Sequence, residues 1–232
     1  IHDMTKDRVD AARRVKPLAA IKDAPLYTRT PAAVMPVFAT AGWHVIAEVK
    51  FASPSEGDIR QPAEPVTVAD GYLKAGARML SVLTEPRYFK GSLDYLSAIR
   101  ESAPDALLLR KDFICDAYQL HEARAHGADA VLLIVAMTED SLTRDLLQQA
   151  EALGLTALVE VHDADEMERA QKMGARMIGV NNRNLKTLKT TLDTSRHLAR
   201  RKTPDSLLIC ESGLSTAAQL QEMRGIGYDG FL

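Results

Sequence analysis

One recurring pattern limits the fold of this chain more than any other feature. A polar segment of helical period ends in Gly, often Gly-Ala, and a short apolar run follows at once. The pattern stands at Gly76-Ala77 before RMLSVLT, Gly127-Ala128 before DAVLLIV and Gly154 before LTALVEV. It recurs at Gly174-Ala175 before RMIGVNN and at Gly227 before YDGFL. Glycine accepts the left-handed conformation that closes a helix, and the chain then turns directly into a buried strand. The runs are continuous rather than alternating, as in a parallel sheet covered by helices. Eight are found, near 45–49, 79–83, 106–110, 130–134, 156–160, 176–181, 206–210 and 229–232. Their starts lie roughly 20 to 34 residues apart, the spacing of strand–helix–strand units.

Eight such repeats in 232 residues predict an α/β fold, a closed (β/α)8 TIM barrel. A doubly wound open sheet is the rival, but it normally places a Gly-rich phosphate turn after its first strand. Here FASPSEG follows instead. The reading is a single domain over 1–232, with a helical extension in 1–44 and the barrel in 45–232. The N-terminal IHDMTKDRVDAARR reads as an extra surface helix. Ser92, Asp116 and Thr138 each precede a helical segment and are expected to cap its first turn. The sequence ends at Leu232, in or just after the eighth strand. A barrel needs a further helix there to seal its seam, so the chain is expected to be truncated after strand 8.

Composition narrows the function classes. With 29 basic against 31 acidic residues, nothing electrostatic favours nucleic acid or an anionic membrane as partner. The longest apolar run, Ala130 to Met137, falls far short of the roughly 20 residues that span a bilayer. Cys115 and Cys210 form no CxxC pair, which argues against a zinc site or disulfide framework and for a reducing cytoplasm.

In such a barrel the chemistry sits at the C-terminal ends of the strands. Strand 1 ends in Glu48 and Lys50, and strand 3 in Arg110, Lys111 and Asp112. Strand 5 ends in Glu160, strand 6 in Asn181, Asn182 and Arg183, and strand 7 in Glu211 and Ser212. The two-residue period sends Glu48 and Lys50 to the same side. If that side is the lumen, Glu48, Lys50, Lys111, Glu160 and Glu211 converge on one mouth. Each charge alone reads equally well as a salt-bridged plug. Together they read as a site, because buried charge is costly and functional centres are where it is tolerated. Lysines beside carboxylates suit proton transfer to a carbonyl oxygen followed by loss of water. Ser53-Pro54-Ser55 with Gly57 reads either as an anion-holding loop or as a plain proline turn.

Other motifs fail. GIGYDG at Gly225–Gly230 follows a helix and enters a strand, the reverse of a dinucleotide fingerprint. His121 and His126 are five apart rather than the four that puts two ligands on one helical face. His162, next to the mouth, is read as a loop residue or a support. Cys115 has no histidine partner and reads as a small buried residue.

The strand-end segments VIAEVKFASPSEGDI, SVLTEPRYFKGSLDYL, LLLRKDFICDAYQLHEARAHGADAVLLIV, ALVEVHDADEMERA, IGVNNRNLKT and ICESGL closely resemble the indole-3-glycerol-phosphate synthase family. The resemblance runs in order from Val45 to Leu232. It implies a carbon–carbon lyase of tryptophan biosynthesis, acting without metal or organic cofactor. The substrate implied is 1-(2-carboxyphenylamino)-1-deoxyribulose 5-phosphate, closed to a ring with loss of carbon dioxide and then water. By resemblance Lys111 is the general acid at the ketone, Glu160 assists dehydration, and Lys50 binds the carboxylate or phosphate and shares the acid role. Glu48 orients the lysines and the substrate amine, and Asn181 and Arg183 position hydroxyl and carboxylate groups. Glu211 and Ser212 complete the mouth, Ser53 and Gly213 hold the phosphate, and Phe89, Phe113 and Leu132 pack the aromatic ring. The resemblance also implies a small-molecule partner alone, with the chain a monomer or part of a larger tryptophan-pathway polypeptide. Three positions depart from the family pattern: Phe51 and Glu56 where a basic residue is usual, and Asn184 for Asp. The first two are expected to weaken anion binding. Two other readings stay open: a different phosphosugar-handling barrel enzyme such as an isomerase, and an inactive, truncated phosphate-binding protein.

Overall fold

The computed structural model describes residues 2–54, 57–59 and 64–232. Among these, eight parallel strands form one sheet in sequential order. They are β1 (Ile46–Val49), β2 (Met79–Leu83), β3 (Leu107–Lys111), β4 (Ala130–Ile134), β5 (Thr156–Val161), β6 (Met177–Asn181), β7 (Leu207–Glu211) and β8 (Gly230–Phe231). A parallel bridge between Val45 and Phe231 joins the edges, and the Phe231 N–H donates to the His44 carbonyl at 2.9 Å. The barrel is thus nearly closed, as the eight runs predict. The segment after β1, read as a loop, carries a short antiparallel pair, Ala52–Ser53 with Gly57–Asp58.

Strand alternation sorts the side chains. Ile46, Met79, Leu107, Leu109, Ala130, Leu132, Ile134, Leu158, Met177, Leu207 and Ile209 share one buried cluster inside the barrel. Val131, Leu133, Val159, Ile178, Val180, Leu208 and Cys210 face outward into the helical layer. The outer helices include α4 (Pro65–Lys74), α5 (Leu93–Ser102), α6 (Ala117–Ala125), α7 (Asp140–Ala152), α8 (Ala164–Lys172), α9 (Asp193–Leu198) and α10 (Ala217–Gly225). Ahead of β1 lie α1 (His2–Val15), α2 (Leu18–Lys22) and α3 (Val34–Phe38). Val34 and Phe38 of α3 join the interior cluster and stopper the end of the barrel opposite the mouth. A side chain at Gly230 would meet Phe38 and Ile209 at 2.8 Å, so this glycine is required for the stopper to seat.

The helix starts obey local chemistry. Ser92 accepts from Asp94 N at 3.1 Å, and Asp116 accepts from Tyr118 N at 2.7 Å within a capping box closed by Gln119. Thr138 is the exception. Helix α7 starts one residue later than that assignment needs, after Glu139, and the Thr138 hydroxyl turns to Thr143 instead.

Two modules on opposite sides of the barrel share one wiring plan. In the β3–α6–β4 module, Gln119 Oε1 accepts from Cys115 N and Asp116 N, and Asp129 Oδ2 accepts from Leu108 N. In the β7–α10–β8 module, Gln219 Oε1 accepts from Ser215 N and Thr216 N, and Asp229 Oδ2 accepts from Leu208 N. The buried Asp129 is neutralised by Arg29 and Arg100, and Asp229 by Lys202.

Candidate active site

The inward positions at the C-terminal ends of the strands carry the charge. Lys111 Nζ lies 2.9 Å from Glu48 Oε2 and 3.8 Å from Glu211 Oε2. Lys50 Nζ lies 2.9 Å from the other Glu48 oxygen. Glu160 Oε1 is 3.1 Å from His162 Nε2. The groups therefore meet from β1, β3, β5 and β7, as the strand period requires. Arg110 and Asp112, on alternate positions of β3 and its extension, go the other way. They pair with each other at 3.0 Å, Arg110 also with Glu122 and Asp112 with Arg8 of α1. Helix α1 is thus fastened behind the site rather than lying free on the surface.

Above these groups opens a cavity of about 410 Å³. Its wall includes Glu48, Lys50, Ser53, Lys111, Glu160, Asn181, Arg183 and Ser212. One side is apolar: Phe89 and Phe113, with ring centres 6.1 Å apart, stand near Leu132, Ile134 and Met137. Volume and lining suit a small amphipathic ligand with an aromatic part and several charged groups.

The electrostatics divide the carboxylates. Burial disfavours the ionised form of Glu48, but Lys111 and Lys50 outweigh it and hold the group at about 2. Glu160 behaves likewise: burial pushes it up, while His162, Lys111 and Asn181 bring it below the usual carboxylate range. Glu211 goes the other way. Burial and the neighbouring Glu160 push it well above the ordinary value, against the pull of Lys111. Its two oxygens are buried without a hydrogen bond. Burial lowers Lys111, yet Glu48, Glu211 and Glu160 together hold its proton more tightly than in free lysine. The site thus offers an ammonium donor, two ionised carboxylates and one carboxyl that keeps its proton.

Eleven of the thirteen expected site residues line this cavity. Glu211 sits just beneath it, its carboxyl folded over Gly179 of β6, where any side chain would collide with it. Gly213 does not reach the wall. Its φ of +82° turns the chain away after β7, and a side chain there would meet Thr190 at 2.6 Å. Phe51 also differs from expectation. It packs edge-on against Tyr95 in the layer outside the barrel, rather than beside an anion. Asn184 caps the exposed loop after β6, accepting from Lys186 N and Thr187 N at 2.9 Å. Ser55 and Glu56 lie outside the described residues. Asn182 is structural, tying β6 to the Glu211 and Ser212 carbonyls.

Some contributors were missed in the sequence. Glu85 accepts from the backbone N–H groups of Arg87, Tyr88 and Phe89 and so shapes the loop that presents Phe89. Its signal was the Thr-Glu-Pro step after strand 2. Leu185 and Leu188 line the mouth from the β6 loop, and Leu188 holds a φ of +60°.

The indole-3-glycerol phosphate synthase family model matches residues 1–232. The chain belongs to this family. The indole-3-glycerol phosphate synthase of Mycolicibacterium gilvum is 48% identical over 227 residues, covering 97% of this chain and 83% of that protein. That of Albidiferax ferrireducens is 44% identical over 231 residues, covering 98% and 87%. At low sequence identity, solved structures share the barrel. An N-acetylmannosamine-6-phosphate 2-epimerase from Clostridium perfringens superposes with a TM-score of 0.65 at 12% identity, covering 86% of this chain and 89% of that one. Family membership makes the chain an enzyme of the synthase type, a decarboxylating lyase of tryptophan biosynthesis, and favours that reading over a different phosphosugar barrel enzyme. No described helix is long and apolar enough to cross a membrane.

Proposed function

We propose that this synthase closes 1-(2-carboxyphenylamino)-1-deoxyribulose 5-phosphate to indole-3-glycerol phosphate with the Lys111–Glu48–Glu160–Glu211 constellation. One observation carries the assignment: the Lys111 ammonium group, 2.9 Å from Glu48 and 3.8 Å from Glu211, faces an aromatic slot whose wall also holds Glu160. The substrate's ring slides between Phe89 and Phe113, which brings the carboxylate-bearing ring carbon against the ketone carbon. As the carbon–carbon bond forms, the ketone oxygen gains charge and takes the Lys111 proton. The carboxylate then leaves as carbon dioxide, and its bonding pair restores the aromatic ring. The new hydroxyl departs with a proton as water. Glu160, held ionised, removes one of the two protons on the carbon between the nitrogen and the hydroxyl-bearing carbon, and the pair of that C–H bond becomes the new ring double bond, so the indole nitrogen keeps its hydrogen.

Lys50 and Arg183 supply positive charge for the substrate carboxylate and phosphate, and Ser53 adds a hydroxyl at the phosphate end. Glu48 holds both lysines in place. Asn181 and Ser212 address the sugar hydroxyls. We further place the enzyme in the cytoplasm, supported by two buried, free thiols. The test is direct. Mixing the protein with the anilino-deoxyribulose phosphate should produce indole-type fluorescence and release carbon dioxide in equal amount. Absence of both from a folded sample would refute the assignment.

A further inference from the structure

His162 occupies the first bend beyond β5, directly behind Glu160 as seen from the cavity. Its Nε2 is 3.1 Å from Glu160 Oε1, an ion pair when the ring carries its second proton. The opposite nitrogen is fixed. Glu166, in the first turn of α8, accepts from His162 Nδ1 at 3.0 Å and from His162 N at 2.8 Å. Glu166 is itself anchored, because its N–H donates to the Asp163 cap at 2.9 Å. All three side chains are largely buried, with His162 11% exposed and Glu160 4%. His162 is absent from the cavity wall, whereas Glu160 lines it.

We propose that Glu166 and His162 form a positioning dyad for Glu160, in which α8 locks the imidazole ring and the ring aims and charges the carboxylate. The proposal rests on the reading of Glu160 as a catalytic group. The arrangement follows a general logic: a carboxylate fixes the orientation and tautomer of a histidine, which then acts on a third group. Burial disfavours the imidazolium, but Glu160 and Glu166 outweigh it and carry the ring up to about 10. A cation behind Glu160 keeps that carboxylate ionised even though Glu211 faces it. The other charged groups toward Glu160 are Lys111 from β3 and Glu211 from β7, with Asn181 from β6 as a neutral donor. None of these reaches Glu160 from the α8 side.

Three variants of the intact enzyme test this. Glu160→Gln is the reference: turnover should fall at least tenfold, and an unchanged rate would remove Glu160 from the mechanism and this dyad with it. His162→Gln should lower kcat about tenfold with KM within twofold. It should also shift the acid limb of the kcat profile upward, because Glu160 loses its cation and takes up a proton at higher pH. A helix clip without catalytic influence would leave that limb in place. If Glu160→Gln is slow while His162→Gln keeps both rate and acid limb, the proposal is overturned and the assignment of Glu160 survives. Glu166→Gln keeps an acceptor for the ring but loses the charge, so it should fall between wild type and His162→Gln. It also serves if His162→Gln fails to fold. In the wild-type enzyme, NMR titration of the His162 ring should show it protonated through neutral pH; titration near the ordinary histidine value would equally defeat the dyad.

Discussion

The two faces of β3 hold two charge clusters one residue apart in sequence and entirely different in character. Outward, Arg110 meets Asp112, Glu122, Thr84 Oγ1 and the Gln119 carbonyl, and Asp112 also takes Arg8 and the Phe113 N–H. Every charge there has close partners. Inward, Lys111 reaches Glu48 closely and Glu211 only at 3.8 Å, and the Glu211 carboxyl has no hydrogen bond. Saturation marks the outer cluster as a fastening for α1 and α6. Incomplete pairing marks the inner one as a place prepared for groups that arrive with a substrate.

That contrast can be broken at either face. Arg110→Met strips the outer cluster of its hub and leaves Asp112 and Glu122 short of a buried counter-charge. A loss of about 3–5 kcal/mol in urea denaturation is expected, with turnover per folded molecule retained. Little loss of stability would mean that the outer pairs are not the fastening described. Lys111→Ala should reverse the profile, cutting turnover more than ~100-fold, or about 2.7 kcal/mol of barrier. Steady-state kinetics with a parallel denaturation curve would check it, and an undiminished rate would take Lys111 out of the reaction.

Glu211→Gln sharpens the comparison through pH. The folded protein raises this carboxyl above its ordinary value. Below that ordinary value both states carry the proton and nothing is lost. As pH rises, the unfolded chain ionises first, and stability drains away until the folded group ionises too. Gln cannot ionise. The variant's melting temperature should therefore gain on the wild type between about pH 5 and about pH 9, and a constant difference would deny the shift. The smallest effect belongs to the scaffold. Ser92→Ala removes the α5 cap, which costs about 1 kcal/mol and lowers Tm by roughly 2–4 °C, with no change in kcat. A clear fall in kcat would tie the cap to the mouth.

The eight strands were legible because all are short continuous apolar runs at strand–helix–strand spacing and five of them follow a glycine that closes a helix, and the five convergent charges because charge at the end of such a strand has few ordinary uses. What the sequence hid depended on direction and distance. The run Arg110-Lys111-Asp112 does not announce that only the middle residue enters the lumen; the strand period does so once the register is fixed. Glu85 acts through backbone N–H groups that no motif advertises. Gly213 carries a positive φ that aims the chain elsewhere. Thr138 has the chemistry of a cap, but α7 starts one residue further on, after Glu139, and the Thr138 hydroxyl goes to Thr143. His162 read as a loop residue or a support, because nothing in VEVHDADE says that Glu166 folds back onto its ring.

The matched wiring of the β3–β4 and β7–β8 modules has a further meaning. Their counterparts stand 100 residues apart, Gln119 with Gln219, Asp129 with Asp229 and Lys111 with Glu211. The last pair ends the two strands that face each other across the lumen. Equivalent frames thus deliver a cation from one side and an acid from the other. The scaffold repeats itself, and reactivity arises where the repeat is broken, in the identity of a single terminal residue on each half.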